Sequence, residues 1–130
     1  MAGSTRIVLV LVLAAAAVIW FSPARFNRLD AAEVESVRLF SGQTGQAVTV
    51  TDADTVAAIC GALGGCTLKP DGLSLGYTGY TLRVTVTHTG GGESEFIVNS
   101  ENLARRDPFF YKAAEGSIDL DYLLSLVESE

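Results

Sequence analysis

From Ile7 to Phe21 the chain reads IVLVLVLAAAAVIWF, fifteen apolar residues without a charge. No water-soluble element can hide such a run on every side, so it governs what the remainder can be. At ~1.5 Å per residue it falls short of a ~30 Å hydrocarbon core, as the apolar part of a signal peptide does. Adding Ser22 to Ala24, and letting Arg6 snorkel at the other end, reaches the lower limit of a spanning helix, with Trp20 at the interface. Ser22-Pro23-Ala24 also offers the small residues that signal peptidase requires. We read residues 1–24 as a retained signal anchor, in contact with the membrane through residues 7–24. Cleavage after Ala24, giving a secreted protein, is the alternative. Both place the following domain outside the cytoplasm. Arg6 and the amino terminus face Arg25 and Arg28 across the block, and the expected orientation keeps the short tail inside. No cysteine stands directly after the block, so no lipobox-type lipid anchor is expected.

Of 130 residues, 48% are hydrophobic and 18% charged, which excludes disorder once the apolar block is allowed for. The net charge of −6 hides an asymmetry. From Asp30 onward Arg38, Lys69, Arg83, Arg105, Arg106 and Lys112 face all 15 acidic residues, a net −9. A body that acidic repels phosphate backbones and anionic headgroups, so no nucleic-acid partner is expected, nor peripheral membrane attachment through the body. Solubility or a cationic partner accounts for the charge.

The remaining length suits one domain, 34–130, behind a juxtamembrane spacer at 25–33. Val37 and Leu39 alternate with Ser36 and Arg38, and Gln46 to Val50 returns after the turn Ser41 to Gly45, which predicts a hairpin. Thr51 or Asp52 opens a helix whose stripe is Val56, Ile59, Cys60 and Leu63, ended by Gly64-Gly65. Cys66 to Lys69 predicts a short strand, and Pro70-Asp71-Gly72 a tight turn. Tyr80 to Thr89 is the clearest strand, with Tyr80, Leu82, Val84, Val86 and His88 on one face. Gly90 to Gly92 turns it onto Glu93 to Asn99, with Phe96 and Val98 inward. Asp107 to Lys112 reads as a short edge strand, because Pro108 lacks a ladder donor. A last helix, opened by Ser117 or Asp119, carries Leu120, Leu123, Leu124 and Val127. The order ββαβββ(β)α predicts an α+β fold: an antiparallel sheet of about five strands with two helices on one face.

Chemistry-bearing constellations are sparse. Cys60 and Cys66 are too far apart for a redox C-x-x-C and lack zinc-ligand partners, but outside the cytoplasm they predict a structural disulfide. His88 is the single histidine and has no second imidazole for a metal. Glu93 and Glu95 share a strand face and could bind a cation or act as an acid/base pair; the other reading is an exposed face whose negative charge guards an edge. No G-x-S-x-G elbow, phosphate-binding loop or calcium loop is present. We therefore expect no catalytic residue, no metal and no cofactor. The aromatic stretches are more informative. Tyr77 and Tyr80 in GYTGY, and Phe109-Phe110-Tyr111, cannot all point into one core from extended segments, and exposed rings of this kind are contact residues.

With this layout, and with Phe109-Phe110-Tyr111-Lys112 and Ile118-Asp119-Leu120-Asp121-Tyr122-Leu123 in it, residues from about Val34 to Val127 resemble a group of small bacterial domains. These are the extracytoplasmic domains of unknown function carried behind N-terminal anchors in Gram-positive bacteria. Many such relatives are lipoproteins, and this chain departs from them in having no lipobox cysteine. The resemblance implies no activity and supplies no catalytic residue. The expected function is a non-enzymatic module, anchored in the cell membrane, that engages a protein, peptide or envelope partner. A secreted inhibitor or ligand is the alternative.

Overall fold

Period-2 alternation and a glycine-containing turn make a hairpin of β1 (Val34–Ser41) and β2 (Ala47–Val50), paired through Val37 with Val50 and Leu39 with Val48. The computed structural model describes residues 2–21, 24–74 and 79–128. Helix α1 (Ala2–Phe21) carries the apolar block, and Asp30 caps a short 3-10 turn at Ala31–Glu33. Asp52 caps α2 (Ala53–Leu63), its carboxylate accepting from the Thr55 N–H at 2.9 Å. The stripe Val56, Ile59, Cys60 and Leu63 is buried, as the helical spacing predicts. Strands β3 (Cys66–Leu73), β4 (Leu82–His88), β5 (Glu93–Ser100), β6 (Leu103–Arg106) and β7 (Phe109–Gly116) follow, and α3 (Leu120–Glu128) closes the described chain. Asp119 opens α3, accepting from the Tyr122 N–H, and Leu123 and Val127 are buried.

Among the described residues the fold is α+β, with one seven-stranded antiparallel sheet in the order β2-β1-β4-β5-β6-β7-β3 and three α-helices. Helices α2 and α3 pack on one face, where Val37, Leu39, Leu82, Val84, Val86, Phe96, Val98 and Ala104 meet Ile59, Leu63, Leu123 and Val127. Burial of these apolar side chains is the main stabilising contribution to the body.

Several expectations are corrected. The sheet has seven strands rather than about five. β6 was not expected, because Leu103-Ala104-Arg105-Arg106 shows no apolar alternation; pairing on both sides by β5 and β7 makes it a strand. Pro70 to Gly72 is no turn but an irregularity within β3, where the register with β7 shifts. β3 is an edge strand, the place where a proline costs no ladder bond. Phe109 to Lys112 belongs instead to an interior strand, and Pro108 precedes it in the β6–β7 turn. Tyr80 stands before β4, not in it.

Residues of the stretch 25–33 pack on the body. The Ala24 N–H donates to Leu68 O at 2.7 Å, and Phe26 lies 5.0 Å from Phe96 and 4.9 Å from Tyr111, centroid to centroid. Asn27 is fully buried, and its amide donates to the carbonyls of Leu63 at 3.0 Å and Cys66 at 3.1 Å. The chain emerging from α1 is thereby fastened between the end of α2 and the start of β3. In α1 itself, Ile7 to Leu13 are 57–63% exposed. Among the described residues no helix is long and apolar enough to cross a membrane. The described side chains of α1, residues 5–15, cover about 16 Å of helix.

Candidate functional site

Because successive side chains of a strand alternate between faces, the residues opposite the core share a second, outer face that neither α2 nor α3 covers. One row crosses it in register: Phe40 on β1, Arg83 on β4, Ile97 on β5, Arg105 on β6 and Phe110 on β7. Arg38 sits on the same face, opposite Thr49 and Thr85. Lys69 and Lys112 are directly opposed on β3 and β7. Five of the six basic residues beyond Asp30 thus lie on one face of a body whose net charge is strongly negative. Glu93 and Glu95 share it.

Ile97 is 7% exposed on this outer face, where it stands between Arg83 and Arg105 in the register. Arg83 reaches toward the Tyr80 ring, 4.7 Å from its centroid, and stands 5.8 Å from that of Phe40. Arg38 stands 5.7 Å from the Phe40 centroid. Tyr80 lies against the β1–β2 turn, where only Gly42 fits: a Cβ at that position would fall 2.2 Å from Tyr80 O. The Gly42 N–H donates to Thr81 O at 3.0 Å. A glycine in the first hairpin therefore seats the ring that flanks Arg83.

Arg105 is 5% exposed, and among the described residues its Nε and Nη1 have no hydrogen-bond acceptor. Asp107 is its ion-pair partner, at 3.7 Å from Nε, too long for a hydrogen bond; that carboxylate accepts from the Ser74 hydroxyl at 2.7 Å. Arg83 Nε is likewise without a hydrogen bond, with Glu95 at 3.6 Å. A guanidinium does not lose its proton in a protein, so its charge persists even where it is buried.

The expected site residues are dispersed. Tyr77 lies outside the described residues. Tyr80 joins the outer face, not the face of Leu82. Phe110 points to the outer face, while Phe109 and Tyr111 stand on the other, so the three consecutive rings do divide. Cys60 and Cys66 are both free and buried, which corrects the expected disulfide. Burial pushes both thiols above their ordinary value; Asp30 adds to this at Cys60, and Arg28 opposes it at Cys66. His88 faces the core side and meets the Ser94 hydroxyl at 2.9 Å, away from Glu93 and Glu95 on the outer face, so no acid/base set forms. Among the described residues no three His, Cys, Asp or Glu side chains converge to hold a metal.

Sequence reasoning missed the arginine row. The place of Arg83 opposite the Leu82 face was legible in β4, but that of Arg105 depends on a strand which only pairing creates. No family model, curated protein or solved structure matches this chain.

Proposed function

We propose that this protein is a membrane-anchored, non-enzymatic binding module whose contact surface is the outer sheet face. The observation that carries the reading is the concentration of Arg38, Arg83, Arg105, Lys69 and Lys112, with Phe40, Tyr80 and Phe110, on the face that α2 and α3 leave uncovered. Arginine and aromatic side chains are the residues that dominate contact energies, and a rigid sheet holds their backbone in place before binding. The exposed apolar side chains of α1 support the anchor, because a contiguous surface of that kind is not left in water. Attachment through Ala24, Phe26 and Asn27 would hold the body close to the bilayer, on its extracytoplasmic side.

Intact mass and cell fractionation test the anchor. A full-length species in the membrane fraction is expected, and a soluble species beginning at Arg25 would favour the secreted ligand or inhibitor instead. Photocrosslinkers at Thr85 on the outer face and Ala57 on α2 test the surface. Discrete adducts from position 85 alone are expected; adducts from position 57 alone would move the contact surface to the helices.

A further inference from the structure

The outer face holds two guanidinium groups with unfilled donors, and their arrangement says what would fill them. Arg105 is 95% buried, and its Nε and Nη1 have no hydrogen-bond acceptor among the described residues. On the same face Lys69 and Lys112 oppose each other directly, an arrangement that raises the energy of the free protein and that an anion relieves. Each arginine already has one carboxylate nearby, Glu95 at 3.6 Å and Asp107 at 3.7 Å. A doubly charged phosphate would be repelled by these, whereas a singly charged carboxylate matches the fork of a guanidinium with less repulsion. Ile97 and Phe110 separate and flank the two groups, so the ligand carries apolar surface between its charges.

Building on the binding-module reading, we propose that the outer face binds an acidic peptide, with one carboxylate at Arg83 and a second at Arg105. The two arginines stand two strands apart, about 9.6 Å. In a polyproline II peptide every third residue returns to the same side after about 9.3 Å. A Glu-Pro-Pro-Glu segment therefore brings two carboxylates to the two guanidinium groups, with its prolines on Ile97 and the aromatic rings. Arg83, 38% exposed, is the outer contact and Arg105 the deeper one.

The test uses the full chain in detergent micelles and a fluorescein-labelled peptide, Glu-Pro-Pro-Glu-Pro-Pro, against its Gln-Pro-Pro-Gln-Pro-Pro counterpart. The glutamate peptide is expected to bind at least about tenfold more tightly, with Arg83→Gln and Arg105→Met each removing about that factor. Arg106→Gln, on the opposite face, is expected to change nothing. Circular dichroism confirms that each variant is folded, and should Arg105→Met fail to fold, Arg105→Lys replaces it: the charge is retained but the fork is lost, and affinity still falls. Equal binding of both peptides at the outer face, followed by the Ile97 amide resonance, would overturn the carboxylate assignment and leave the binding module standing. No shift at Ile97 with either peptide would overturn the inference, and the crosslinking result would still decide the module separately. Tighter binding of a phosphoserine version would assign the face to phosphate instead. Loss on Arg83→Gln with none on Arg105→Met would overturn the role of Arg105.

Discussion

Replacing Arg105 by methionine should stabilise the body while lowering its affinity for acidic peptides about tenfold. The side chain is 6% exposed and leaves two nitrogens, Nε and Nη1, without acceptors among the described residues, and each unsatisfied buried group costs about 1–3 kcal/mol. Its partner is in the opposite situation: the Asp107 side chain is 69% exposed and held by the Ser74 hydroxyl. Removing the arginine therefore strands no buried charge, the circumstance in which an apolar replacement is often stabilising by about 1–4 kcal/mol. Imperfect filling of the vacated space by the narrower methionine takes back about 1 kcal/mol. The net expectation is a gain of about 0–3 kcal/mol, which at a urea slope of about 1–3 kcal/mol/M moves the midpoint up by about 0.75 M at the centre of both ranges. Urea unfolding of the full chain in micelles, followed by circular dichroism at the sheet band, reads this directly. A midpoint lowered by about 0.5 M or more would refute the reasoning, because Arg105 would then be holding β6 in place rather than waiting for a ligand.

Asn27→Ala should destabilise the body by about 2–3 kcal/mol, since two buried carbonyls, Leu63 O and Cys66 O, lose their donor; a midpoint within error of the wild type would show that the Asn27 latch is dispensable. Gly116→Ala should prevent folding or cost more than about 3 kcal/mol, because φ is +78° there and a Cβ would stand 2.1 Å from Gly65 O; a normally folded variant would contradict the close approach of β7 to the end of α2. Stability should also decline in alkali. Burial raises both thiols above 9.0, so the unfolded chain releases protons that the folded state retains, and the contribution present below 9.0 is lost as pH rises past it. Unfolding midpoints at pH 7 and pH 10 should therefore differ less in a Cys60→Ala, Cys66→Ala double variant than in the wild type; an unchanged pH dependence would remove the thiols as its source.

The alternation in Leu82 to His88, the stripe Val56, Ile59, Cys60 and Leu63, and the caps at Asp52 and Asp119 were all written in the sequence, because each depends on neighbours within a turn or a strand. So was the apolar block, and so was the division of Phe109, Phe110 and Tyr111 between two faces. What lay beyond reach was everything set by which strands meet. β3 stands at the far edge beside β7, with three strands between it and β4, its neighbour in the chain. That placement makes β7 an interior strand, gives β6 partners on both sides, and turns Arg105 from a loop residue into a buried charge. The composition showed an acidic body; only the pleat and the register gathered five of its six cations on one face. Charge is a sum over the sequence and is fixed by it, but a charged face is a matter of pairing, and pairing is decided by contacts between residues far apart in the chain.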